Sequence, residues 1–131
     1  MTRTIPSSTL HLAAALLFWL ALAFAVTMAV LPHPPQLPID RLGDKFEHML
    51  AFATLTLLAE FTFAQTPRLR VAERLSFLGA LIEVFQSVPA LHRDCDIRDW
   101  VADTLAILAM TALLAIVRGP RKAVFNPRAL D

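Results

Sequence analysis

The sequence has a single cysteine, Cys95, and few charged residues. One cysteine excludes an intrachain disulfide. Charged residues make up 18% of the chain and hydrophobic residues 56%, which is unlike an ordinary soluble domain. The net charge is only +1, and no basic run is interleaved with aromatic residues, so no nucleic-acid partner is indicated. A chain of 131 residues has room for one domain and for no separate catalytic module.

Long apolar segments alternate with clusters of charge along the chain. This pattern predicts an all-α fold, a polytopic membrane protein whose single domain is a four-transmembrane-helix bundle. The first segment is almost unbroken, and a rise of about 1.5 Å per residue lets it cross a hydrocarbon core of about 30 Å. A cleaved signal peptide is the alternative for that segment, because Arg3 precedes it. The predicted helices are residues 10–31, 45–64, 72–91 and 97–117.

The cations divide unequally between the two ends of such a bundle. One end has Arg41, Lys45, Arg93 and Arg98. Cytoplasmic ends of membrane helices are enriched in Lys and Arg, so the richer end is predicted to be cytoplasmic, together with both termini. That richer end has Arg3, Arg68, Arg70, Arg74, Arg118, Arg121, Lys122 and Arg128.

Ionisable side chains interrupt the apolar segments near the predicted extracytoplasmic end. Hydrocarbon accepts such groups only where each has a partner or a function. Residues three or four apart share one face of a helix. The polar residues form three such sets: Lys45 with His48, Glu83 with Gln86, and Asp96 with Asp99 and Asp103. We therefore predict one polar pocket that opens at the extracytoplasmic surface. Its members are Lys45, His48, Glu83, Gln86, Arg93, Asp96, Asp99 and Asp103.

The residue types in this pocket indicate two kinds of chemistry. His48 is the candidate acid–base catalyst, and Glu83 or Asp99 would orient its imidazole. Arg93 and Lys45 suit a phosphate or carboxylate ligand. No compact metal-ligand motif is present, so no metal site is predicted and the cofactor is left open. The predicted ligand-binding residues are Lys45, Gln86, Arg93, Asp96 and Asp103.

Some of these residues also have a purely structural interpretation. Asp44 with Glu47, and Asp96 with Asp99, have the spacing of a capping box, in which side chains bond the free amides at a helix start. Lys45 can extend to the headgroups or pair with Asp99.

Glu83 requires a different explanation, because it lies about 12 Å along its helix from the extracytoplasmic connection. We expect it to pair with Arg93, Lys45 or His48, or to be protonated. A polar cluster that only holds the helices together is the alternative to a functional site.

Two runs of residues carry a family resemblance. The first is Asp44-Lys45-Phe46-Glu47-His48 followed by Phe52, and the second contains Gly79, Glu83, Gln86, Pro89, Arg93, Asp96, Asp99, Ala102 and Leu105. Together they resemble the VanZ-like family of small bacterial membrane proteins. Asp103 and Ala106 depart from it, because the family usually has asparagine and glycine at those positions.

The resemblance implies a multi-pass protein of the bacterial cytoplasmic membrane, in a family associated with resistance to glycopeptides, especially teicoplanin. Its partner would be a membrane lipid, a lipid-linked cell-envelope component or a lipophilic glycopeptide. One hypothesis is lipid or ligand binding, and another is a small hydrolase or transferase that acts on a lipid-linked substrate. A proton-linked transporter is a third, which would need several copies of the chain.

Overall fold

A computed structural model describes residues 7–121 of the chain. Within this range the fold contains four long helices and no strand, which confirms the predicted all-α class for these residues. Arg3, Lys122 and Arg128, which contribute to the predicted orientation, lie outside the described residues. The long helices are α1 (Ser7–Val30), α2 (Asp44–Thr62), α3 (Arg68–Gln86) and α4 (Ile97–Arg118).

Helix α3 lies about four residues earlier in the chain than the predicted 72–91. It begins directly after Pro67, so its first turn takes in Arg68 and Arg70, which precede the predicted start at residue 72. Arginine is a good helix former, and proline is tolerated at a helix start. The helix ends at Gln86 because the residue before a proline disfavours helical backbone. Val88 is accordingly extended, and Pro89 opens a short 3-10 turn.

The packing order of the helices brings separate polar residues to one end of the bundle. Helix α2 packs against both α1 and α4, and α4 also packs against α3. Because consecutive helices run in opposite directions, the end of α1, the start of α2, the end of α3 and the start of α4 share one end. The core between the helices contains Phe18, Phe52, Leu55, Ala59, Leu75, Ile82 and Ile107.

The outer surface of the bundle is strongly apolar. Helices α1 and α4 are long and apolar enough to cross a membrane, over Ser8–Val30 and Ile97–Arg118. Helices α2 and α3 carry more charged residues and are not in this group. Even so, all four helices expose large apolar side chains, among them Leu20, Phe24, Phe46, Leu50, Phe77, Val84, Leu105 and Ile116.

Candidate functional site

Five ionisable side chains from three helices form a polar cluster where α2 begins. They are Lys45 and His48 of α2, Glu83 of α3, and Asp99 and Asp103 of α4. Gly79 lets α3 approach this cluster closely. A Cβ atom at Gly79 would lie 3.4 Å from both Phe52 Cζ and Trp100 Cδ1 and 3.6 Å from Asp103 Oδ2.

The imidazole of His48 pairs with Asp103. His48 Nδ1 lies 3.5 Å from Asp103 Oδ2, and the two side chains are 10% and 1% exposed. We had predicted that Glu83 or Asp99 would orient His48. Asp103 does so because it lies one turn further into α4 than Asp99, at the depth that His48 reaches in α2. The second oxygen, Asp103 Oδ1, is buried and has no hydrogen-bond partner among the described residues.

Lys45 and Asp99 form an ion pair, one of the alternatives left open by the sequence. The ammonium group of Lys45 donates to Asp99 Oδ1. Asp99 is buried, whereas the lysine side chain is about half exposed, so the pair reaches from the interior to the surface.

Glu83 has no ion-pair partner among the described residues, so of the two predicted alternatives the structure does not show the pairing with Arg93, Lys45 or His48, and protonation stays a prediction. It is 6% exposed, and its Oε2 accepts a hydrogen bond of 3.1 Å from the backbone amide of Asp96. Its Oε1 is buried and has no hydrogen-bond partner in the described part of the chain. Glu83 thus contacts the first residue before α4 instead of a cation.

The start of α4 explains why Asp99 can bind Lys45. Asp96 caps the helix, because its Oδ1 accepts from the amide of Arg98 at 2.9 Å. In a capping box the later residue would accept from the amide of the cap residue. Glu83 occupies that amide here, so the Asp99 carboxylate points elsewhere.

The capping role predicted for Asp44 is wrong. Gly43 is the N-cap residue of α2, and no side chain makes a cap hydrogen bond there. Gly43 has φ of 93°, a left-handed conformation that glycine adopts easily, and this moves the helix start one residue earlier. Asp44 instead lies with its Oδ1 3.6 Å from Arg93 Nη2, which places the predicted ligand-binding arginine near the start of α2.

Gln86 lies against α1 and forms no hydrogen bond with the polar cluster in the described structure. Its Nε2 donates to the carbonyl of Ala29 at 2.9 Å, and the side chain is buried. The carbonyls in the last turn of a helix lack partners within that helix. Gln86 therefore fastens the end of α3 to the end of α1.

A cavity of about 500 Å³ lies between α1, α2 and the connection that joins them, residues 31–43, which contributes Pro34 and Pro35 to the wall. Its volume is in the range of about 300 to 1,000 Å³ that is usual for small-molecule sites. Most of its wall is apolar, contributed by α1 residues such as Ala25 and by Leu50 and Leu55 of α2. The charged residues of the wall are Asp44, Glu47, His48 and Arg93.

Cys95 lies in the connection before α4, outside the helices. Partial desolvation raises the pKa of its thiol, and the nearby Glu83 carboxylate raises it further. The thiol is exposed, and its low acidity makes it a poor nucleophile at neutral pH.

The opposite end of the bundle has a second charged group, the arginine cluster of Glu60, Arg68, Arg118 and Arg121. Arg68 donates to Glu60 with Nε at 3.0 Å and Nη2 at 2.7 Å. Arg121 Nη2 donates to Glu60 Oε2 at 2.5 Å, and Arg118 Nε lies 3.3 Å from Glu60 Oε1. We did not predict this cluster. The sequence feature that could have indicated this cluster is a glutamate near the end of α2, together with arginines that the order of the helices places at the same end of the bundle.

No three His, Cys, Asp or Glu side chains in residues 7–121 are arranged to hold a metal ion. Comparisons with protein-family models, curated proteins and solved structures found no match. The functional argument therefore depends on the geometry of this chain.

Proposed function

We propose that this chain is a multi-pass, VanZ-like protein of the bacterial cytoplasmic membrane that binds a lipid or lipid-linked ligand with an anionic headgroup. The observation that carries the proposal is the apolar cavity between α1 and α2 whose charged wall includes His48 and Arg93. A ligand that matches it has an apolar chain and a charged or polar end. A lipophilic glycopeptide shares that two-part chemistry and is an alternative ligand.

The exposed apolar surface supports a membrane location for all four helices. Soluble proteins seldom expose contiguous apolar patches of more than a few hundred Å². Helices α2 and α3 have 19 residues each, which corresponds to about 28 Å at 1.5 Å per residue, close to the thickness of the hydrocarbon core. Their charged residues lie near the helix ends or are paired inside the bundle.

The distribution of arginine supports an orientation with the polar cluster on the extracytoplasmic side. Arg68, Arg118 and Arg121 gather at the opposite end, as do the exposed Arg70 and Arg74. Cytoplasmic ends are enriched in such residues. The cavity would then receive its ligand from the outer leaflet.

Arg93 at the cavity wall supports an anionic group in the ligand, and the carboxylate beside it supports hydrogen-bond donors in the same headgroup. Arg93 can bind a phosphate or carboxylate oxygen. The carboxylate of Asp44, on the same wall, can accept hydrogen bonds from hydroxyl or amine groups. Phosphate and hydroxyl groups occur together in lipid-linked sugar precursors of the cell envelope.

Lipid mass spectrometry of the protein purified in a mild detergent tests this proposal. Wild type should retain one class of anionic lipid above its share of the membrane. Ala25→Leu fills the cavity and should abolish retention, whereas Ala23→Leu, on the exposed side of α1, should preserve it. Arg93→Gln should also lose the lipid, with Arg98→Gln as the exposed control. Retention that is no greater than bulk composition, or that survives Ala25→Leu, refutes the proposal.

The pair of His48 and Asp103 favours a second candidate, a membrane hydrolase or transferase. A buried carboxylate that orients an imidazole is the arrangement needed for general acid–base catalysis. His48 borders the cavity, so its ring can reach a bound headgroup. His48→Gln should then keep lipid retention but stop conversion of the retained lipid, which chemical analysis of the bound species would reveal. Unconverted lipid on both wild type and variant would refute catalysis.

A further inference from the structure

The arginine cluster carries more positive than negative charge. Glu60 is the only carboxylate that contacts its three guanidinium groups in the described part of the chain, which leaves a net charge of +2 from three cations and one anion. Arg68 and Arg121 are mostly buried. Guanidinium groups taken out of water require compensating anions. Glu60 alone does not supply enough negative charge.

Hydrogen bonding separates Arg118 from the other two arginines. Arg121 also donates to the backbone carbonyls of Glu60, Phe63 and Thr66, and Arg68 donates to that of Gly119. These bonds use most of their N–H groups.

Arg118 is 46% exposed, and its Nε lies 3.3 Å from Glu60 Oε1. Its Nη1 and Nη2 donate no hydrogen bond to another described residue, so these N–H groups are available to an anion.

The position of Arg118 indicates where that anion comes from. Arg118 is the last residue of α4, and its guanidinium carbon lies 4.7 Å from the centre of the exposed Phe61 ring. A long arginine side chain at the end of a membrane helix extends its guanidinium to the headgroup level. A planar guanidinium binds phosphate through two parallel hydrogen bonds.

We propose that Arg118, with Arg68 and Arg121 behind it, binds the phosphate of an anionic phospholipid in the cytoplasmic leaflet. This site is separate from the cavity between α1 and α2. It rests on the proposed membrane location but not on the proposed ligand of that cavity. Anionic headgroups attract basic residues next to the membrane, which adds a long-range component to the contact.

The test is thermal unfolding of the full chain in nanodiscs of phosphatidylcholine alone and with phosphatidylglycerol. Phosphatidylglycerol should raise the Tm of wild type by about 4 °C. Arg118→Gln should lose most of that rise while remaining folded. Arg70→Gln removes an exposed arginine near the same end and should keep it. An equal rise in wild type and Arg118→Gln overturns the proposal.

Two further measurements test whether the bound anion is free phosphate or a carboxylate of the chain itself. If inorganic phosphate added to phosphatidylcholine nanodiscs gives the same Arg118-dependent rise, the site binds free phosphate and the lipid proposal is wrong. If Asp131→Asn lowers the Tm in phosphatidylcholine as much as Arg118→Gln does, the chain's own carboxylate is the partner and the proposal is equally wrong.

The cavity variant Ala25→Leu distinguishes this proposal from the proposed function. It should leave the Arg118-dependent part of the rise in Tm with phosphatidylglycerol unchanged, because Ala25 lies outside the arginine cluster. Loss of the chain from membranes on carbonate extraction would overturn both proposals together.

Discussion

Replacing Glu60 with glutamine tests whether the arginine cluster stabilises the fold. The change preserves the shape of the side chain but removes the carboxylate that three arginines contact. Glu60 is buried and Arg68 and Arg121 nearly so, and removing one partner of a buried ion pair typically costs about 3–5 kcal/mol. Arg118 adds little, because half-exposed pairs are screened by water.

Thermal unfolding in detergent, followed by circular dichroism, measures this loss. For a chain of this size we expect the Tm of Glu60→Gln to fall by about 10 to 20 °C. Glu73→Gln is the matched control, since Glu73 is an exposed glutamate near the start of α3. Its free energy of unfolding should change by less than about 0.5 kcal/mol.

A folded Glu60→Gln protein with a Tm close to that of wild type would refute the reasoning. It would mean that Arg68 and Arg121 are stabilised by backbone carbonyls alone. The double variant Arg68→Gln with Glu60→Gln would then show no coupling energy between the two sites, whereas our interpretation requires a clear one.

Four further outcomes follow from the other end of the bundle. Asp103→Leu removes the partner of the buried His48 and should cost about 1–3 kcal/mol, measured as a fall in Tm; no fall contradicts the contact. Gln86→Leu frees the last carbonyls of α1 and should speed proteolysis in the connection to α2; an unchanged cleavage rate contradicts the tie. The raised pKa of Cys95 means that its alkylation rate keeps rising above about pH 8.5, where an ordinary thiol is already half ionised. Glu83→Gln removes a negative charge, should lower that pKa and should speed alkylation at fixed pH; an equal or slower rate contradicts the charge on Glu83.

Sequence pattern was sufficient for the elements of the fold. The alternation of apolar and charged segments predicted the four helices, and helical spacing grouped Lys45 with His48 on one face. The helix ends were harder to place, because they depend on local backbone choices. Pro67 and Pro89 set the limits of α3, and Gly43 replaced Asp44 as the N-cap residue of α2.

The partners within the site could not be predicted from spacing. His48 contacts Asp103 because the two residues lie at the same level along the bundle. Spacing within one helix shows which residues share a face, but it does not show which residues of two different helices lie at the same level. The partners of Glu60 could not be predicted either, because they come from the start of α3 and from a residue after the end of α4. Long-range pairs of this kind depend on the packing order, which the sequence leaves open.

The bond between Glu83 and the amide of Asp96 means that the backbone, and not a cation, is the partner of this buried side chain. The N-terminus of a helix carries a partial positive charge of about half a proton charge. The glutamate oxygen therefore stabilises the first turn of α4 and is stabilised by it. Substituting the nearby lysine or arginine would leave this bond intact, whereas unwinding that turn would remove the donor from a glutamate inside the bundle.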